Sequence, residues 1–301
     1  MSDRETISMR SGNLGRSVLA SPALLVVPTI LLLLFTYVWP LLQVLRLSFS
    51  AADASVLDGA GFTLKHYIDF FLDPTSLRVI WRSFWISIAS TIIALVVAYP
   101  YAISIARGGP MMRRLLISIA LLPMTTSGVV RAYGVIMVLG REGPLNALLL
   151  TLGIVSRPVE FLYGPAALII GNAYFVLPFV ILPLATGIAR IDRRLLDAAS
   201  TLGATRLAMT RTVTLPLLVP AIAAGSVVAF TLNMTAFVTP GLLGGQGYLV
   251  ITTLLGQQMF ALANWITGAV IAVVLLAIVI VTMSVYQAWM DRKAKFYAPR
   301  S

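Results

Sequence analysis

Between Arg211 and Asp291 the sequence runs without a single charged side chain. A helix of about 20 residues crosses a bilayer core about 30 Å thick, so this stretch is too long for one span. Its middle, TPGLLGGQGY, is glycine-rich and polar, which divides it into spans at 215–237 and 263–289. Three more runs are free of charge, at 20–45, 84–105 and 164–189, and a fourth at 115–139 is interrupted only by Arg131. Charged residues make up 11% of the chain, less than half of the roughly 25% usual in soluble domains. The pattern predicts an all-α polytopic membrane protein with six transmembrane helices, built as one transmembrane domain over 20–301 behind a short amino-terminal segment, 1–19. The first span is too long for a signal-peptide core and reads as a retained helix.

Six spans put both termini on one side, and the side that keeps Lys and Arg is cytoplasmic. With both termini inside, the inner segments carry Arg4, Arg10 and Arg16, then Arg107, Arg113 and Arg114, then five arginines from Arg190 to Arg211, then Arg292, Lys293, Lys295 and Arg300. The outer segments carry Arg46, Lys65, Arg78, Arg82, Arg141 and Arg157, matched by Asp53, Asp58, Asp69, Asp73, Glu142 and Glu160. The net charge of +11 is therefore mostly topology, and no nucleic-acid partner is implied.

With six spans removed, the longest segment left is 46–83, too short for an independent domain with a sizeable core. His66 is the one histidine and there is no cysteine, so neither an acid-base constellation nor a thiolate metal site can be assembled. A phosphate-cradling loop needs a Gly-Lys pair, and the three lysines follow Leu64, Arg292 and Ala294. The chain carries no catalytic site of its own, and any ATPase that drives it is a separate subunit.

That requirement gives meaning to the charged loop at 190–214. Asp192 is placed to cap a helix on which Leu195, Leu196, Ala199 and Leu202 recur at helical spacing. Gly203 ends it, suited to the left-handed conformation found just past helix ends. Thr205 then caps a second short helix with Leu207, Met209 and Val213, before Pro216 opens the fifth span. A solvated loop whose arginines enforce topology would meet the composition equally well; the ordered spacing favours a helix-turn-helix knob, with small Ala198 and Ala199 allowing another backbone to come close.

The interval Asp197-Ala198-Ala199, three residues, Gly203, nine residues, Val213, one residue, Leu215-Pro216 resembles the signature E-A-A-x3-G-x9-I-x-L-P of binding-protein-dependent ABC importer permeases of type I, MetI-like fold. Asp197 replaces Glu and Val213 replaces Ile, both conservatively. Arg131, Tyr133, Leu139-Gly140-Arg141, Gly143 and Asn146, with FVTPGLLGG from Phe237 to Gly245, resemble the spermidine/putrescine-type permeases of that family. The resemblance implies a bacterial inner-membrane importer subunit whose knob couples it to ATPases through Asp197, Ala198, Ala199, Gly203, Val213, Leu215 and Pro216. It further implies two ATP-binding cassette subunits that bind ATP and Mg, a second permease subunit, identical or homologous, and a solute-binding protein. No cofactor is expected on this chain.

Arg131 is the one charge within a span, and intramembrane charges are functional candidates because they are costly. It either snorkels and bonds to carbonyls or a neighbouring helix, or serves the substrate path. A guanidinium suits carboxylates better than amines, and no span contains Asp or Glu; either a partner permease supplies the acids for the polyamine-type solute that the resemblance implies, or the cargo is an opine-like or amino-acid-derived one. Tyr133, Asn172, Tyr174 and Asn233 complete the candidate path, each equally able to serve helix packing. A stand-alone secondary transporter or channel is the competing reading; it would want an intramembrane acid or internal repeats, and the sequence offers neither.

Overall fold

In the computed structural model, residues 22–51, 61–245 and 247–297 are described, and among them the chain is helical, with no strand beyond an isolated bridge between Ser50 and Phe62. Segment 1–19 lies outside the described residues. Five helices are long and apolar enough to cross a membrane, and a sixth span exists if one sharply bent pair is counted together.

The first span is α1 (Pro22–Leu33), a π-turn (Leu34–Val38) and α2 (Trp39–Ser48). It runs three residues past the expected end at 45. Large apolar side chains from Val26 to Leu45 are exposed along it, and α2 leans on the last helix. The π-turn has a local cause. Pro40 offers no amide to the carbonyl four residues back and its ring crowds that carbonyl, so the helix widens; the N–H of Trp39 reaches Leu34 O instead. Thr36, four residues before the proline, turns its hydroxyl back to Leu32 O at 2.7 Å.

After α3 (Lys65–Leu72), α4 (Pro74–Arg107) is 34 residues long, about 51 Å at 1.5 Å per residue. The expectation of 84–105 captured only its uncharged portion. Asp73 starts the helix, accepting the amide protons of Thr75 and Ser76 at 3.0 Å each and the Ser76 hydroxyl at 2.8 Å, with Pro74 at the first turn. These bonds, the Ser76 hydroxyl foremost, hold the Asp73 carboxyl below its ordinary range. Its buried residues step by three and four, from Ser76 and Val79 through Ser83, Ser87, Ser90, Thr91 and Ala94 to Ala98, Ala102 and Ile105. Small residues on that face let two helices approach closely.

The expected third span, 115–139, is corrected. It is broken into α5 (Pro110–Thr125) and α6 (Gly128–Leu139), which with α7 (Pro144–Thr151) turns away from α5 by 107°. Pro123 removes one helical donor, Thr126 and Ser127 adopt extended backbone, and the hydroxyls of Thr125 and Thr126 both donate to Leu122 O, at 2.9 and 3.0 Å. A backbone break in an apolar setting is tolerable when side chains satisfy the freed carbonyls.

The uncharged run at 164–189 forms one helix, α8 (Pro165–Ala189). After the loop helix α9 (Arg193–Thr201), α10 (Arg206–Met209), a π-turn (Thr210–Thr214) and α11 (Leu215–Thr235) follow one another without a gap, giving a helix of 30 residues from Arg206 to Thr235. The second short helix is therefore the base of the fifth span, and the expected boundary at 215 is corrected. The local pattern repeats the one before Pro40: Pro216 follows a π-turn in which the N–H of Leu215 reaches Thr210 O, and Thr212, four residues before the proline, donates back to Ala208 O at 2.8 Å. Then come α12 (Val238–Leu243), α13 (Ile251–Gly256), a π-turn (Gln257–Ala261) and α14 (Trp265–Tyr297), which begins two residues after the expected 263 and runs past 289.

The core is where α4, α8 and α11 pack on one another. Helices α8 and α11 run antiparallel at close range: a Cβ on Gly187 would lie 2.8 Å from Ala221 Cβ and 3.0 Å from Leu218 Cδ2, and one on Gly225 would meet Val180 Cα at 3.4 Å.

Candidate coupling loop and translocation cavities

The coupling candidates sit at the end of the bundle where α8 stops. Asp192 caps α9 by accepting the Arg194 N–H at 2.9 Å, and Thr205 caps α10 by accepting the Ala208 N–H at 3.3 Å. Between them Gly203 has φ +79°, with nothing within 4 Å of where a Cβ would stand, so its requirement is conformational and not steric. Its N–H donates to Ser200 O and that of Ala204 to Ala199 O, closing the helix end. Asp197 and Ala198 are exposed and Ala199 half-buried. Leu195, Leu202 and Leu207 are exposed as well, Leu202 at 88%. Val213 and Pro216 are half-buried, Thr214 buried, and Leu215 lies at the junction with α11. The loop thus carries three large apolar side chains that this chain leaves uncovered.

In the half of α8 nearer Pro165 the path candidates separate into three groups. Arg131, on the first turns of α6, holds its guanidinium 4.5 Å from the centroid of the Phe175 ring on α8. It lines two cavities at once: one of about 470 Å³ shared with Thr126, Val135, Ile170 and Tyr174, and one of about 240 Å³ shared with Phe175, Leu232, Thr235 and Phe237. Tyr133 is exposed and lines neither. Asn172 and Asn233 are buried in the core at 1% and 4% exposure. The register set by Gly187 with Ala221 and by Gly225 with Val180, continued for about two turns, brings Asn233 level with Asn172. Asn233 Nδ2 donates to Thr91 Oγ1 at 3.3 Å, while Asn233 Oδ1, Asn172 Oδ1 and Ser90 Oγ have no partner.

Phe175, Thr126, Ser90 and Thr91 were missed by sequence reasoning. A phenyl ring or an aliphatic hydroxyl inside an apolar run carries no signal of its own, and Phe175 becomes visible only through the guanidinium above it. The motif residues 139–146 prove to be architectural. A Cβ at Gly143 would meet the carbonyls of Met137 and Val138 at 2.5 and 2.6 Å. Asn146 Nδ2 donates to the carbonyls of Gly140 and Val159, and Asn146 Oδ1 accepts the Val159 N–H at 2.8 Å. Arg141 faces Glu160 at 3.7 Å, but with both side chains more than 70% exposed the pair adds little.

Residues 98–296 match the family described as binding-protein-dependent transport system inner membrane component. The chain belongs to that family. It is a multi-pass, inner-membrane permease subunit of an ABC importer, without catalytic function of its own. The spermidine/putrescine transport system permease protein PotB of Haemophilus influenzae is 35% identical to it over 254 residues, 84% of this chain and 88% of that one. PotB of Escherichia coli K12 is 32% identical over 85% of this permease and 92% of its own length. Among solved structures, a bacterial ABC transporter involved in import of the acidic polysaccharide alginate superposes with a TM-score of 0.74 over 92% of this chain and 96% of that one, at 21% identity. A MetNI methionine ABC transporter in an inward-facing conformation gives 0.51 over 74% and 95%, at 16% identity. At these identities the structural likeness speaks for the fold.

Proposed function

We propose that this permease forms the translocation pathway for a small organic cation of polyamine type, handed over by a solute-binding protein, and that the 190–214 loop couples the pathway to separate ATPase subunits. The observation that carries the coupling is the capped, glycine-turned knob with its exposed Leu195, Leu202 and Leu207. An ordered element fused to a long helix can pass on a partner's movement. Asp197, Ala198, Ala199 and Gly203 form its contact face, and Val213, Leu215 and Pro216 its root. The complex holds two ATP-binding cassette subunits, which bind ATP and Mg, and a second permease, identical or homologous. Both termini face the cytoplasm, in keeping with the surplus of Lys and Arg in the segments assigned to that side. The relatives named for spermidine and putrescine transport support the cargo class.

A second reading, a carboxylate-bearing solute such as an opine or amino-acid derivative, is favoured by Arg131, which lines two cavities containing no acid. Titration of the cognate binding protein with spermidine, putrescine and amino-acid-derived carboxylates, followed by uptake into vesicles holding the full complex, separates the two. Saturable uptake of spermidine driven by ATP is expected. Uptake by this chain alone, without ATPase subunits, would return it to the class of secondary transporters.

A further inference from the structure

Arg131 is the shared wall of two cavities, and what holds it there is an aromatic face. The guanidinium rests 4.5 Å from the Phe175 ring centroid. Neither cavity is lined by an Asp or Glu, and the one ion pair recorded among the described residues is Arg141 with Glu160. A ring face attracts cations through its quadrupole and does not depend on the guanidinium plane. The same seat accepts an ammonium ion.

We infer that Phe175 is a cation seat in the translocation pathway and that Arg131 is its tethered occupant, displaced by the cationic group of the cargo. This rests on the polyamine reading above. The electrostatics supply the switch: two positive charges cannot share one ring face in an apolar setting, so an arriving ammonium expels the guanidinium by repulsion while taking over its attraction to the ring. When Arg131 swings away, its partition between the cavity of about 470 Å³ and that of about 240 Å³ is withdrawn. A neutral solute of similar size has no such means of moving it. The lack of acids around the guanidinium then becomes necessary, because a carboxylate at this site would clamp Arg131 in an ion pair that an incoming amine could not easily replace. A ring contact is weak enough to exchange, at about tenfold to thirtyfold in occupancy.

The test uses the complete complex, with its partner permease, ATPases and binding protein, reconstituted in vesicles; labelled spermidine uptake and ATP hydrolysis are measured for the wild type and four variants. Phe175→Leu should lower spermidine uptake by about tenfold, and Phe175→Trp, which keeps a ring face, should retain it. Arg131→Met should hydrolyse ATP several-fold faster than wild type without loaded binding protein, since the partition is gone; Arg131→Lys should restore the restraint. ATP hydrolysis by Arg131→Met no faster than wild type without loaded binding protein, or unchanged uptake in Phe175→Leu, overturns the seat while leaving the spermidine cargo standing. A wild-type complex that imports carboxylates and not spermidine overturns the cargo reading, and the seat with it.

Discussion

Ser83 Oγ accepts the backbone N–H of Ile251 at 2.7 Å, joining two residues 168 positions apart. The bond is buried, with Ser83 at 4% and Ile251 at 0% exposure, and the same hydroxyl donates to Val79 O at 2.7 Å. Ile251 opens α13, where the first amides have no partner within the helix. One serine on α4 therefore serves as the cap for a helix that follows it by more than half the chain.

Ser83→Ala should strand that amide and cost about 1–3 kcal/mol, the usual penalty for an unsatisfied buried group. Thermal unfolding of the purified complex in detergent measures it; Ser83→Thr, which keeps the hydroxyl, should recover part of the loss.

The layer at Asn233 gives an opposite pair of outcomes. Ser90 Oγ is buried without a partner, so Ser90→Ala should be neutral or stabilising. Thr91→Val removes the acceptor of Asn233 Nδ2 and should destabilise by about 1–3 kcal/mol. Equal melting temperatures for the two variants would contradict the assignment.

At Gly203 the prediction concerns coupling. With φ at +79° and open space around the Cβ position, a β-branched residue is strained by about 1–2 kcal/mol while Asn accepts the left-handed region more readily. Gly203→Val should uncouple solute-stimulated ATP hydrolysis or block assembly with the ATPase, and Gly203→Asn should keep most of it. Stimulation at the wild-type level in Gly203→Val would sink the coupling role.

Asp73 sets a pH dependence. Its carboxyl is held below 3.8 by the Ser76 hydroxyl and the amides of Thr75 and Ser76. A depressed acid contributes stability that is present above the unfolded value and lost as pH falls through the folded one. Asp73→Ala should therefore melt below wild type at neutral pH, and the gap should close only below about 3.8. A gap unchanged at low pH would contradict the cap.

The caps at Asp192 and Thr205 and the turn at Gly203 were legible because each rests on residues near in sequence with a conformational preference of their own. The fourth span was legible for the same local reason, an unbroken apolar run. The break at Thr126-Ser127 was not: its residues are uncharged, and hydropathy does not distinguish a hydroxyl that bonds back to Leu122 from one that points into a cavity. Nor was the extension of α4 to Pro74, since Arg78 and Arg82 lie beyond the uncharged run while the Asp73 cap carries the helix on. The seat for Arg131 depends on a ring 44 residues away, and the level of Asn172 with Asn233 depends on how closely Gly187 and Gly225 let two helices meet. Those are properties of packing, which no single stretch of sequence displays.

The uninterrupted run from Arg206 to Thr235 places the knob and the Asn233 layer at opposite ends of one strut about 40 Å long. Over that distance a tilt of a few degrees at the Arg206 end becomes a displacement of ångströms beside Thr91, comparable to the 3.3 Å bond there. The π-turn before Pro216 interrupts the strut's regular ladder close to its Arg206 end, so a bend there would change the direction in which the Asn233 end moves and not the strut's length.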